Sequence, residues 1–224
     1  MNMEEIRKIL TEYGKKIVEK GLVAGPGGNI SGRDGDFVYL SPSGFFLDEI
    51  KEDEWVKVDL KTGKIYSDLR PTCEISMHLG IYIERKDVKA VFHTHPPITV
   101  GLISAGVKFK PFFPDFVAIL GKRIPIIDYV QPGGEEIRKA VCKEIKKVNV
   151  VLLKNHGVVA VGESIKEAYT RSLIVEEAAK SLFVGIISGK MKYLKEKEIE
   201  GIENLEAEDY RKALLKKYEL EDKG

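Results

Sequence analysis

The sequence predicts an α/β fold in which helices cover a mixed, mostly antiparallel sheet. Amphipathic helical stretches are interspersed with short strands, neighbouring strands are mostly joined by tight turns, and the strict strand and helix alternation of a doubly wound parallel sheet is missing. At 224 residues the chain suits one domain, residues 1–224, with a core large enough to need no disulfide.

The first helix covers residues 4–20, where Ile6, Ile9, Leu10, Tyr13, Ile17 and Val18 recur at steps of three and four until Gly21 ends the pattern. Gly25-Pro26-Gly27-Gly28-Asn29 then forces a loop with exposed backbone N–H groups. Residues 30–31 and 37–40 flank Gly32-Arg33-Asp34-Gly35 as a hairpin, and Ser41-Pro42-Ser43-Gly44 makes a second turn close behind. A further hairpin joins residues 56–60 to 64–66. Pro71-Thr72 introduces a helix to about residue 85, with Thr72 as its N-cap. Residues 88–95 read as a strand, 99–105 as a short helix, 123–129 as a strand and 135–147 as a helix. Residues 150–161 form two apolar runs split by Lys154-Asn155-His156-Gly157, a strand, turn and strand with His156 at the tip and Gly157 suited to positive φ. The longest helix runs over 165–188 and buries Ala168, Leu173, Val175, Ala178, Ala179, Leu182 and Phe183. A charged tail follows, with one more helix over 207–218.

Composition excludes several classes of function. Thirty-six Lys and Arg stand against 35 Asp and Glu, so a net charge of +1 provides no one-signed field to draw the chain to nucleic acid or an anionic membrane. Two cysteines, Cys73 and Cys142, build no disulfide framework and suit a reducing compartment. No apolar run reaches the roughly 18 residues of a membrane helix, and the first residues lack a signal-like core. The expectation is a cytoplasmic protein.

Three histidines form the candidate metal site. His93-Thr94-His95 ends a strand, where the two-residue period puts both imidazoles on one face with Cα atoms about 6.5 Å apart, a spacing that suits two ligands of one ion. His156 completes a three-nitrogen set that leaves one position open for water or substrate, as catalytic zinc sites do. Each piece alone is weak, and His78, inside a helix, is read as a packed residue rather than a ligand. Three small-residue segments, 25–29, Ser43-Gly44 and Thr72-Cys73, offer hydroxyl or N–H donors that together can cradle a phosphate, the last at a helix N-terminus. The glycine loop matches neither a Walker nor a dinucleotide pattern. Glu74 falls in the first turn of that helix. Beside an anion cradle and a metal, it is the candidate to move a carbon-bound proton.

The set Gly27-Gly28-Asn29-Ile30-Ser31, Ser41-Pro42-Ser43-Gly44, Thr72-Cys73-Glu74, His93-Thr94-His95-Pro96 and Asn155-His156-Gly157 resembles the class II aldolase and adducin-head family over about residues 5–190, leaving 191–224 as a tail. Within the family the likeness is to the branch that cleaves L-fuculose 1-phosphate. The resemblance implies a three-layer α/β/α fold and a homotetramer with interfacial sites. It also implies Zn2+ or another divalent transition metal on His93, His95 and His156, Glu74 as acid/base, and phosphate held by Gly28, Asn29, Ser43, Gly44, Thr72 and Cys73. The implied reaction is reversible cleavage of a ketose 1-phosphate, a small sugar phosphate, to dihydroxyacetone phosphate and an aldehyde. Methylthioribulose-1-phosphate dehydratases and pentulose-5-phosphate 4-epimerases of the same family are the alternatives. An adducin-like interaction module is opposed by the intact histidines and Glu74. Pro26 and Cys73 replace a threonine and a serine of the pattern. A tyrosine of the loop before residue 124 has no counterpart, for which Asp115 is a substitute, and Tyr218 resembles the family's carboxy-terminal tyrosine.

Overall fold

Strand side chains alternate between the two faces of a sheet, so the sorting of buried residues shows which helices lie where. The computed structural model describes residues 3–221, the side chains of residues 3, 212 and 216–221 excepted. Its strands are β1 (Asn29–Asp34), β2 (Phe37–Leu40), β3 (Val56–Asp59), β4 (Ala90–Thr94), β5 (Ile126–Ile127), β6 (Val150–Leu153) and β7 (Gly157–Gly162). They form one sheet in the order β3-β2-β1-β4-β7-β6-β5, with every neighbouring pair antiparallel except β5 with β6. The helices are α1 (Met3–Glu19), α2 (Ile75–Glu84), α3 (Pro97–Ser104), α4 (Glu135–Ile145), α5 (Ile165–Ile187), α6 (Glu196–Glu203) and α7 (Glu206–Glu221), and a π-helical turn occupies Phe116–Leu120.

On one face Val91 of β4 and Val159 and Val161 of β7 pack against Met77 and Ile81 of α2 and Ile137 and Val141 of α4. On the other, Ala90 and Phe92 meet Ile6, Leu10 and Ile17 of α1, while Val158 and Ala160 meet Leu102 of α3 and Val175 and Ala179 of α5. The outcome is the three-layer α/β/α arrangement. Ile6, Leu10 and Ile17 are at most 1% exposed, so each contributes about 1.5–3 kcal/mol of burial, which is what anchors α1.

The elements differ from the expectations where short-range pattern is overruled. Residues 64–66 contribute only a single bridge, Val58 to Ile65. The strand expected over 123–129 shrinks to two residues because it is a sheet edge, with Pro125 serving only as an acceptor, from Leu152 N. Helix α2 begins at Ile75 with Glu74 as its N-cap residue, so Thr72 is not the cap and Glu74 precedes the first turn. The Thr72 hydroxyl accepts instead from the Glu74 amide at 3.3 Å. At the β6–β7 turn the left-handed residue is Asn155, φ 57°, and not Gly157. Phe183 is 45% exposed, not buried, because the C-terminal end of α5 extends past the core that buries Leu182. Helix α6, with only Ile199 buried, carries too little apolar periodicity to be read from sequence.

Helix α3 follows directly on His95-Pro96, and its N-cap residue, Pro96, makes no side-chain cap. A different helix supplies the acceptors: Glu176 of α5, 2% exposed, takes the Ile98 amide at 3.1 Å, the Thr99 amide at 2.9 Å and the Thr99 hydroxyl at 2.7 Å. Glu176→Ala leaves three buried donors without an acceptor and is expected to lower stability by at least about 2 kcal/mol. The urea midpoint should fall with an unchanged slope, and Glu176→Gln, which keeps one acceptor oxygen, should lie between.

Candidate metal and catalytic site

The sheet register places the histidines. His93 is the penultimate residue of β4 and pairs with Val159 of β7 and with Asn29 of β1, so the side chains of all three share the α2 face. His95 lies just past the strand on the same alternation, and His156 projects from the turn that opens β7. Gly157 makes their approach feasible. A Cβ there would stand 2.4 Å from the Thr94 carbonyl oxygen, 2.7 Å from His95 Cδ2 and 3.1 Å from His93 Cε1.

His93 Nε2 lies 2.9 Å from His95 Nε2 and 3.2 Å from His156 Nε2. His93 donates its Nδ1–H to the Val158 carbonyl at 3.0 Å, so the proton of the neutral ring is on Nδ1 and its Nε2 carries a lone pair. Burial is the main force holding all three imidazoles below the usual histidine range, His93 well below it; the neighbouring imidazoles push His93 and His95 further down, while Glu74 opposes the shift of His95 and His156. Three neutral nitrogens pointing at one another are repulsive unless a cation lies between them. A tetrahedral ion with bonds of about 2.0–2.1 Å needs its nitrogens about 3.3 Å apart, within a few tenths of the two distances from His93 Nε2, and all three ligand atoms lie within 4.8 Å of one another. The donor set therefore fits a divalent metal. The carboxylate of Glu74 completes the cluster, with Oε2 3.1 Å from His93 Nε2 and Oε1 3.8 Å from His156 Nε2. That Oε1 is buried and has no hydrogen-bond partner.

Glu74, His95 and His156 border a cleft of about 180 Å3 whose other walls include Gly28, Asn29, Ser43, Gly44, Thr72 and Cys73. The expected metal ligands, Glu74 and the six expected phosphate residues are thus in one place, with His93 behind the cleft wall. Gly28 and Gly44 have φ of 68° and 84°, so both turns need glycine. The Ser43 and Thr72 amides are engaged, donating to the Arg70 and Ser41 carbonyls. An anion in the cleft is left the Ser43 and Thr72 hydroxyls and the backbone of Gly28, Gly44 and Cys73, a narrower donor set than the sequence suggested. Two larger hollows, about 570 Å3 beside Arg171 and about 780 Å3 beside Lys110, contain no histidine.

The model of the class II aldolase and adducin N-terminal domain matches residues 8–183, most of the chain. The chain belongs to this family. It is 34% identical over 176 residues to an L-fuculose phosphate aldolase of Methanocaldococcus jannaschii, covering 79% of this chain and 94% of the relative. It is 28% identical to a 3-oxo-tetronate 4-phosphate decarboxylase of Haemophilus influenzae, covering 88% of this chain and 96% of the relative. Among solved structures, an L-fuculose 1-phosphate aldolase superposes with a TM-score of 0.83 at 29% identity, covering 92% of this chain and 96% of that one.

As a class II aldolase family member the chain is a metal-dependent lyase, and the three-histidine group is its candidate metal site. Asp115 is not part of that group. It pairs with Arg211 of α7 at 2.9 Å and does not border the cleft. The side chain of Tyr218 lies outside the described residues. Among the described residues no helix is long and apolar enough to cross a membrane.

The sequence reading missed the network behind Glu74. Asn29 donates from Nδ2 to Glu74 Oε2 at 2.9 Å, and its Oδ1 lies 2.6 Å from His78 Nε2. His78 Nδ1 lies 2.7 Å from Ser31 Oγ, which is 2.8 Å from the Tyr82 hydroxyl. The signal was present as spacing: Glu74, His78 and Tyr82 recur every four residues, and Asn29 and Ser31 every two.

Proposed function

We propose that this protein is a zinc-dependent aldolase that reversibly cleaves a ketose 1-phosphate of the L-fuculose 1-phosphate kind to dihydroxyacetone phosphate and an aldehyde. One observation supports it above the others: Glu74 presents an unpartnered buried oxygen between three convergent imidazole nitrogens and a cleft lined by small polar residues. A metal held by His93, His95 and His156 would supply Lewis acidity that stabilises negative charge developing on the substrate. The chain's own groups do the rest. Ser43, Gly44, Thr72 and Cys73 hold the phosphate and so fix where the sugar carbons lie. As the C3–C4 bond breaks its electron pair goes to C3, the O–H pair of the C4 hydroxyl forms the aldehyde C=O, the hydroxyl proton passes to the Glu74 carboxylate, and Glu74, through Oε1, delivers a proton to C3. In the synthetic direction the same oxygen removes it. Glu74 needs no partner for this beyond Asn29, which holds the other oxygen.

Loss of carbon dioxide from a 3-oxo-tetronate 4-phosphate breaks a bond at the corresponding carbon and leaves the same three-carbon fragment. The likeness to such a decarboxylase makes it the second reading. We further propose a cytoplasmic homotetramer with sites near its interfaces, as the resemblance in sequence implies.

Two measurements with zinc-loaded protein test this. Dihydroxyacetone phosphate in D2O should exchange one hydroxymethyl hydrogen for deuterium, seen by NMR, and EDTA should abolish the exchange while borohydride leaves it intact. Adding a panel of short aldehydes should produce ketose 1-phosphates detectable by mass. Exchange without any condensation product would favour the decarboxylase, to be assayed with its 3-oxo acid. No exchange at all would rule out both.

A further inference from the structure

The five side chains behind the site alternate between a helix and a strand. Glu74, His78 and Tyr82 form one ridge of α2, and Asn29 and Ser31 are the residues of β1 that face it. Four residues of helix rise about 6.0 Å and two residues of strand about 6.8 Å, so the rows stay in step and interleave as Tyr82, Ser31, His78, Asn29, Glu74. Tyr82, Ser31 and His78 are 0% exposed, Glu74 3% and Asn29 7%, so the links among Tyr82, Ser31 and His78 are closed to water.

The direction of this chain is determined from the Glu74 end. Asn29 must turn Nδ2 toward the carboxylate, because its Oδ1 there would set acceptor against acceptor. Oδ1 therefore faces His78 and requires a donor, which places the His78 proton on Nε2. Nδ1 is then the acceptor for the Ser31 hydroxyl, and Ser31 in turn accepts from the Tyr82 hydroxyl. Burial takes the His78 pKa down to about 3, so the ring has a single proton and cannot donate both ways. Every link donates toward Glu74.

We infer that His78 is a positioning residue for proton transfer: its Nε2–H, set by Ser31 and Tyr82, locks the Asn29 amide, which ties down Glu74 Oε2 and leaves Oε1 as the oxygen that meets the substrate carbon. The inference rests on Glu74 being the proton-transferring group. It reaches back from the cleft to Tyr82, which touches neither the metal ligands nor the cleft.

The test uses zinc-loaded protein and dihydroxyacetone phosphate as the probe. Nitrogen-15 NMR should show His78 protonated on Nε2. His78→Phe should lower the turnover of deuterium exchange about 10- to 100-fold, as the loss of an outer partner of a metal-site group does, with zinc content and KM unchanged. His78→Gln puts an amide donor where Nε2–H was and should restore turnover to within about threefold of wild type. Ser31→Ala should fall between His78→Phe and Tyr82→Phe, because each link further from Glu74 has a weaker hold on Asn29.

Three results would overturn the inference. The first is a folded, zinc-loaded His78→Phe protein that exchanges as wild type does. The second is a His78→Gln protein no better than His78→Phe, which would make the residue a packing element. The third is the Nδ1–H tautomer in the wild type, which is decisive even if His78→Phe does not fold. Absence of exchange in the wild-type protein would instead defeat the assigned reaction, and the His78 tautomer would still judge the relay.

Discussion

Glu74→Gln is expected to slow deuterium exchange into dihydroxyacetone phosphate by about 10²- to 10⁴-fold, the range that positioned acid–base groups contribute. The amide keeps the volume of the carboxylate and one acceptor oxygen for the Asn29 Nδ2–H, so the packing at the N-terminus of α2 survives. What it loses is the basic oxygen at the position of Oε1, which has no other partner. Zinc content by atomic absorption and the KM for dihydroxyacetone phosphate should stay within about threefold of wild type, because an effect confined to turnover marks a group acting in the transition state. A Glu74→Gln protein exchanging at the wild-type rate would transfer the role to another base.

Gly157→Ala is expected to damage both the fold and the metal site. Gly157 does not have positive φ, so alanine meets no backbone penalty and on chain entropy alone would be mildly stabilising. Space decides the sign. The new methyl would lie 2.4 Å from the Thr94 carbonyl oxygen and 2.7 Å from His95 Cδ2, and the first of these is backbone. The β4–β7 pair must part, at a cost of about 1–3 kcal/mol, and the imidazoles move with it. Metal-free protein should melt lower, and zinc affinity from a competing chelator should fall about 10-fold or more. Gly101→Ala in α3, with nothing within 4 Å of the added carbon, is the control and should gain about 0.5–1 kcal/mol. Equal melting temperatures for Gly157→Ala and wild type would contradict the crowding.

The parts of the fold that were legible in the sequence are those written by local periodicity. Helices α1, α4 and α5 and the β1–β2 and β6–β7 hairpins carry unbroken patterns, and the structure ends them within a few residues of the expected positions. The histidine trio was legible because the chain has only four histidines and their spacing is informative, and Glu74 because it adjoins the Thr72-Cys73 segment of the anion cradle. His78 was not, since nothing local separates a histidine in a hydrogen-bonded row from one that merely fills space. Its neighbours Asn29 and Ser31 come from a strand more than 40 residues earlier, |i−j| of 49 and 47. Asn155 rather than Gly157 takes the left-handed position because the glycine is needed for closeness to β4, a tertiary demand invisible in the turn itself. Edge strand β5 and the π-helical turn at Phe116–Leu120 likewise depend on neighbours, not on pattern.

The metal ligands sit on β4 and β7, which are adjacent at the middle of the sheet although 65 positions separate His93 from Val158. Hairpins such as β1–β2 and β6–β7 can close early in folding, because few residues lie between their strands. The β4–β7 ladder requires a long loop to be drawn shut, and that closure brings its reward only when the two halves of the sheet meet. The three-nitrogen geometry therefore depends on a non-local contact that no single hairpin supplies. A partly folded chain keeps His156 away from His93 and His95, so the three-nitrogen group exists only once β4 and β7 are paired.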